Sequence, residues 1–303
     1  MALSSFLRPR RTLLSWPVSR ILVAVLALAG LGTLLYPSAA SWLSDRAQAG
    51  QVDAYVHAIE SLSPGETRAA LRKAHRFNQT VPEGAPHDPY ATGPEGEQTA
   101  TGSEARRYFH TLDLGPEGMM GVLSFPAIHV QLPIFHGTAP ATLDRGLGHL
   151  FGSALPVGGP GTHSVITGHS GLIHATLFTH LDQARRGERF TITVLDQVLT
   201  YQVDRISRVL PTELDHLKAV PGKDFVTLVT CTPTGVNTHR LLVRGHRIPT
   251  PGQAPASSVI TGARPDLFPW WILWAALGFL ATVVGTTPLA RKPVRRVAHE
   301  LAA

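Results

Sequence analysis

The chain has 303 residues, 44% of them apolar and 16% charged, which excludes an intrinsically disordered protein and leaves room for one or two domains. A single cysteine excludes an internal disulfide framework and a cysteine-rich zinc site. The net charge of +6 sits at the tips: Arg8, Arg10, Arg11 and Arg20 at one end, and Arg291, Lys292, Arg295 and Arg296 against Glu300 at the other, more than account for it. A nucleic-acid binder carries its basic charge on the folded domain, so no nucleic-acid partner is expected. Basic tips beside apolar segments are a membrane pattern.

In chain order, residues 1–20 read as a basic cytoplasmic tail. Residues 21–36 contain no charge, and apolar character resumes through Ala39, Ala40, Trp42 and Leu43. A helix over 21–43 is long enough to cross a bilayer, which takes roughly 20 residues. The competing reading is a cleaved signal peptide ending at Ala47-Gln48-Ala49, but that site lies far from the apolar run, which favours a retained anchor. Residues 44–105 form a helical segment followed by a loop. Val52, Tyr55, Val56, Ile59 and Leu62 have helical spacing, and Ser63-Pro64-Gly65-Glu66 breaks the chain and caps a second helix over 66–77. Residues 81–103 are rich in Pro, Gly, Thr and Glu and read as a loop that carries Asp88-Pro89-Tyr90.

The texture changes over 106–248. Short β-type runs alternate with turn clusters at 119–125, 128–134, 163–167, 189–195, 198–203, 225–230 and 240–246, and a short helix is predicted at 175–184. Leu199, Tyr201 and Val203 mark one face of a strand; Leu241 and Val243 mark one face of another, with Arg240 and Leu242 on its reverse. This is a mainly β domain, a barrel or sandwich. Residues 249–266 are a Pro-, Ala- and Ser-rich linker. Residues 267–289 form a second candidate span with Trp270, Trp271 and Trp274 clustered at its start, and 290–303 are a second basic tail. The positive-inside rule then puts both tails in the cytoplasm and the β domain outside.

Cys231 ends the run Phe225–Thr230 at the mouth of a turn-rich loop. A lone cysteine is often a small buried hydrophobe. Here it sits at a strand end in an oxidising compartment, which calls for a reason to keep an unpaired thiol. If the strand that follows is its antiparallel neighbour, Arg240 lies beside Cys231. A guanidinium there can bind a developing oxyanion and lower the thiol pKa. The nucleophile also needs an acid–base partner. Among 15 histidines, His169 stands out, because it follows a strand and sits in Gly168-His169-Ser170-Gly171. His57, His75, His110, His129, His136, His149, His163, His174, His180, His216, His239, His246 and His299 read as solvated or packing histidines. No histidine pair with metal-ligand spacing and a matching carboxylate is present, so no metal site is expected.

Thr227-Leu228-Val229-Thr230-Cys231-Thr232-Pro233, continued by Gly235 to Gly245, closely resembles the active-site hairpin of class C, pilin-polymerising sortases. So do the upstream blocks Gly121–Pro126, Leu132–Thr138, Gly148–Leu150, Leu155–Gly159 and Thr167–His169, over residues 108–248 in all. The resemblance implies an eight-stranded sortase β-barrel flanked by two transmembrane helices. It implies Cys231 as nucleophile, His169 as general acid and base, and Arg240 as the group that stabilises the oxyanion and positions substrate. Asp88-Pro89-Tyr90 looks like the lid motif of this class, with Asp88 paired to Arg240 and Tyr90 over the Cys231 sulfur. Thr230 and Thr232, on either side of the nucleophile, are candidate substrate contacts. Ser170 and Thr234 depart from the family pattern, which often has Arg and an aromatic residue there.

The implied activity is cleavage of an LPxTG-like sorting signal between Thr and Gly, then transfer to a lysine amine of another pilin subunit, with no metal or organic cofactor. The implied partners are LPxTG-type pilins or surface proteins and membrane lipid. An alternative acceptor is a peptidoglycan precursor amine, since the hairpin does not distinguish the two. A more distant reading is a non-catalytic, membrane-tethered barrel that binds peptides.

Overall fold

The computed structural model describes residues 18–81, 103–114, 118–213, 215–252, 256–257, 260 and 268–287. It divides into two compact units, residues 1–39 with 269–303, and residues 40–268.

The first unit holds the apolar end of α1 (Val18–Glu60) and α5 (Trp270–Thr286). The most apolar 18-residue window of α1 has no burial, and Leu22, Val23, Val25 and Leu26 are exposed. That surface would be unfavourable in water and is suited to lipid, so this N-terminal helix points to a membrane anchor. α5 covers 17 residues, fewer than the 267–289 expected and at the short end of what spans a bilayer. The two apolar helices touch. A Cβ on Gly278 would lie 2.5 Å from Leu31 Cδ2, and Arg20 Nη1 donates to the Thr286 carbonyl at 3.5 Å.

In the second unit α1 continues without a break to Glu60, with Val52, Tyr55 and Val56 buried. Pro37 lies inside this helix, and no further proline interrupts it between Leu43 and Glu60. The Tyr55 hydroxyl donates to the Met120 carbonyl at 3.1 Å and accepts from Leu195 N–H at 2.9 Å. α2 (Pro64–Asn78) starts as expected. Ser63 Oγ accepts from Glu66 N–H at 3.3 Å, and Glu66 Oε2 accepts from Ser63 N–H at 2.8 Å. α3 (Ser103–Phe109) and α4 (Pro140–Leu143) are short.

Eight strands close into a barrel: β1 (Met119–Phe125), β2 (Val130–His136), β3 (Leu147–His149), β4 (Thr162–Thr167), β5 (Arg189–Val194), β6 (Gln197–Val209), β7 (Asp224–Thr232) and β8 (His239–Ile248). Their order is β1-β2-β3-β4-β7-β8-β6-β5, with β2–β3 and β4–β7 parallel. Leu123, Phe125, Ile134, Ile166, Phe190, Tyr201, Val226, Leu228, Leu241 and Val243 belong to the main core. Val165, Val229 and Leu242 belong to a second cluster, as alternation along β4, β7 and β8 requires.

Three elements differ from the sequence expectation. β6 runs to Val209 rather than 203, because a register shift between Val203 and Arg205 resets its alternation, and the Asp204 carboxylate is held by Arg244 at 2.8 Å. β3 has only three residues, too few to show a period. The helix expected at 175–184 is instead a string of turns with one 3-10 turn, Leu181–Gln183. Ala175, Phe178 and Leu181 are buried at a spacing of three that mimics a helix, but Leu177 has φ +37°, which a helix does not allow.

Candidate active site

β7 and β8 pair antiparallel with Cys231 directly opposite Arg240. Opposed residues in such a pair point to the same face. Val229 and Leu242, two positions back on each strand, lie on the face away from the main core, so Cys231 and Arg240 share that face at the strand ends. Both are buried. Arg240 Nη1 donates to the carbonyls of Asn237 at 3.1 Å and His239 at 3.3 Å. Asn237 has φ +61°, a left-handed conformation that asparagine tolerates, and it turns its carbonyl to the guanidinium.

His169 comes from the other neighbour of β7. The parallel β4–β7 register ends at Thr167↔Val229, and Gly168 N–H donates to the Val229 carbonyl at 3.1 Å. Two side chains then join the loop to β7. Thr230 Oγ1 donates to the Gly168 carbonyl at 2.7 Å, and Ser170 Oγ donates to the Cys231 carbonyl at 2.8 Å. His169 is the residue between them, so the loop is held beside Cys231. Gly171 has φ +72°, and a Cβ there would lie 2.1 Å from Thr234 Cγ2, so the His169 loop packs against the loop that follows Cys231.

Burial lowers the pKa of His169; Asp144 opposes this, and His174 adds to it. Asp144 comes from the turn between α4 and β3. Gly148 pairs with Thr167 in the antiparallel β3–β4 ladder, so the residues just before β3 run alongside those just after β4. Among the other histidines, burial pushes His149 down to about 3 and His163 to about 4. His149 Nε2 bonds the Ala154 carbonyl at 2.8 Å, and His163 Nδ1 bonds the Lys218 carbonyl at 3.0 Å. Both are neutral packing residues, as expected of them. His136 is also buried, with its ring nitrogens at the Gly118 and Thr111 carbonyls.

A cleft of about 550 Å³ opens at Cys231. Thr230, Cys231 and Thr232 line one wall, Leu241 and Arg208 extend it, and Ser170, Phe178 and Asp182 form the other. Thr230 and Thr232 therefore border the cleft, although the Thr230 hydroxyl is occupied by Gly168. Asp88, Pro89 and Tyr90 lie outside the described residues. No group of three or more potential ligands that could hold a metal occurs among the described residues. Sequence reading missed Asp144, Asp182 and Arg208. Arg208 lies beyond the β6 register shift, and the other two sit in turns, where no periodicity marks them.

The arrangement combines a thiol, an imidazole and a guanidinium at one end of three adjacent strands, with a cleft that opens at the thiol. These are the group types of nucleophilic acyl transfer: a nucleophile, an acid–base group and a cation for a developing oxyanion. Residues 123–248 match the model of the sortase domain family. Sortase C-1 from Actinomyces oris is 44% identical, with a TM-score of 0.57, covering 62% of this chain and 100% of that chain. A sortase C from Streptococcus pneumoniae, whose structure concerns catalysis and pilin substrate specificity, is 37% identical with a TM-score of 0.58, covering 66% and 96%. The curated sortase A of Streptococcus agalactiae is 31% identical over 128 residues, 41% of this chain. The chain spans 51% to 63% of the length of the curated relatives it matches. The barrel topology, the Cys231–Arg240 register and these likenesses agree: the chain belongs to the sortase family of cysteine transpeptidases and stands structurally with class C.

Proposed function

We propose that this chain is a membrane-anchored transpeptidase that joins pilin subunits through an LPxTG-like sorting signal. The observation that carries the reading is Cys231 paired with Arg240 across β7–β8, with the His169 loop bonded to the Cys231 carbonyl. The Cys231 thiolate attacks the Thr–Gly carbonyl carbon. The oxygen takes up negative charge beside Arg240. As the C–N bond breaks, His169 as imidazolium gives its proton to the leaving glycine amine. In the second half, His169 takes a proton from an incoming lysine amine of another pilin. That amine attacks the thioester, the C–S bond breaks and the thiolate returns. The likeness to pilin-related class C structures supports lysine, rather than a peptidoglycan amine, as the acceptor.

The apolar segments 21–43 and 267–289 both span the membrane in this reading, with the basic tails inside and the barrel outside. The reading also assigns Asp88-Pro89-Tyr90, in the 44–105 segment, to a lid that gates access to Cys231 until a pilin docks. If alanine at both Asp88 and Tyr90 left the rate of Cys231 alkylation by a small thiol reagent unchanged, the lid would have no gating role.

The test of the main reading uses the full chain in detergent, with and without the lid substitutions, mixed with LPxTG-type peptides and read by mass spectrometry. The expected result is an adduct on Cys231 that hydroxylamine releases and that Cys231→Ala lacks. Adding a lysine-bearing pilin peptide should convert it to an isopeptide product. No adduct in the lid variant across several sorting signals would overturn the transpeptidase reading. An adduct that passes only to a peptidoglycan-type amine would overturn the pilin acceptor alone.

A further inference from the structure

We propose that Ser170 and Thr230 are positioning residues that hold His169 in register with Cys231, an inference that rests on the catalytic reading above. The backbone register between β4 and β7 ends at Thr167↔Val229, two residues short of each reacting side chain. Past that point the two segments are joined crosswise. Thr230, the neighbour of Cys231, bonds the carbonyl of Gly168, the neighbour of His169, at 2.7 Å. Ser170, the other neighbour of His169, bonds the carbonyl of Cys231 itself at 2.8 Å. The backbone of His169 is bracketed on both sides by hydroxyl bonds that join its loop to the nucleophile's strand.

The burial of the two hydroxyls suits the role. Thr230 is 2% exposed, and its β-branch restricts χ1, so its oxygen is committed to one carbonyl. Ser170 is half-buried and is followed by Gly171 at φ +72°, where the chain turns away towards Thr234. The Ser170 bond ties that turn to the Cys231 carbonyl. The attachment of β4 to β7 rests mainly on other contacts. β4 and β7 share six registered pairs, and Ile166, Val226 and Leu228 anchor them in the core. The bonds act where the ladder has stopped and the chemistry begins. Proton transfer between the imidazole and an amine bonded to the carbon that Cys231 attacks requires hydrogen-bond reach, and a misplacement of about 1 Å costs on the order of 100-fold in rate.

The test compares Ser170→Ala, Thr230→Val and the double variant with the hydroxyl-retaining Ser170→Thr and Thr230→Ser, all as full chains in detergent. One readout is the pH profile of Cys231 alkylation by iodoacetamide, with His169→Ala as reference. The other is the acylation rate with an LPxTG-type peptide. The double variant should lose on the order of 100-fold in acylation rate at saturating peptide, with KM changed less than about threefold. Its alkylation profile should move towards that of His169→Ala. The retaining variants should recover both. A double variant with the parent's alkylation profile and acylation rate would overturn the proposal, as would losses that the retaining variants fail to recover. If the double variant unfolds, Ser170→Ala alone is decisive, since that side chain lies outside the core. If even the parent forms no adduct, the transpeptidase reading falls, and the alkylation profiles still decide whether the hydroxyls couple His169 to Cys231.

Discussion

The two walls of the cleft are built differently. The β7–β8 wall is a regular antiparallel ladder, and its backbone bonds alone put Arg240 opposite Cys231. The wall from Gly168 to Gln183 contains one isolated bridge, Leu172↔Ala175, one 3-10 turn and a residue at φ +37°. Its ties to β7 beyond Gly168 N–H are side-chain bonds, from Thr230 and Ser170; within it Thr179 Oγ1 accepts from Gly171 N–H at 3.1 Å, and one backbone bond, Phe178 N–H to the His169 carbonyl at 2.9 Å, closes the loop. The difference is between a position set by strand pairing, which survives most side-chain changes, and one set by side-chain contacts, which does not.

The largest expected effects fall on the ladder wall, at the residues to which the proposed mechanism assigns the chemistry. Cys231→Ala should abolish the hydroxylamine-sensitive adduct, read by intact-mass spectrometry, while the barrel keeps its thermal midpoint. Arg240→Lys should follow, with a loss of acylation rate of about 100- to 1,000-fold. Lysine keeps the charge but has no planar fork, so it cannot hold the Asn237 and His239 carbonyls and also face an oxyanion. A lysine variant with near-parental turnover would reduce Arg240 to a point charge.

On the irregular wall a smaller, repairable effect is expected. Gly171→Ala puts a Cβ 2.1 Å from Thr234 Cγ2 in a left-handed conformation. Acylation should slow by about tenfold from the displaced His169 loop. Thr234→Gly removes the clashing methyl and should restore most of the rate. What it fails to restore measures the backbone strain, about 1 kcal/mol for a non-glycine residue at that φ. If Thr234→Gly gives no rescue, the two loops are not mechanically coupled.

The same contrast explains what could be read from the sequence. The β runs of the ladder wall were legible because alternation writes the face of each residue into its neighbours: Leu241 and Val243 inward, Arg240 and Leu242 outward. That alternation, with a turn between Cys231 and Arg240, was enough to place them together. His169 was legible only by its strand-end position and by resemblance. Nothing in local spacing shows that Thr230 reaches Gly168 or that Ser170 reaches Cys231, because such bonds depend on where a parallel neighbour 61 or 62 residues away comes to lie. β6 shows the intermediate case. Its first half was readable and its second half was not, because one bulged residue reverses the phase.

The smallest expected effect concerns the charge around His169. Burial lowers its pKa, and Asp144 works in the other direction. In the proposed mechanism the imidazolium protonates the leaving amine, so activity should be lost as pH rises through the His169 pKa. Removing the Asp144 charge lowers that pKa further, so in Asp144→Asn the alkaline limb of the acylation profile should move to lower pH. His174 acts with the opposite sign. His174→Gln should move the limb to higher pH, and the two substitutions together should partly cancel. Asp144 is exposed, so salt screens it, and the shift should shrink as ionic strength rises. A limb that moves the same way in both single variants, or that ignores salt, would mean that the substitutions act on the loop's position rather than on the charge of His169. In that case the irregular wall would be sensitive only to packing.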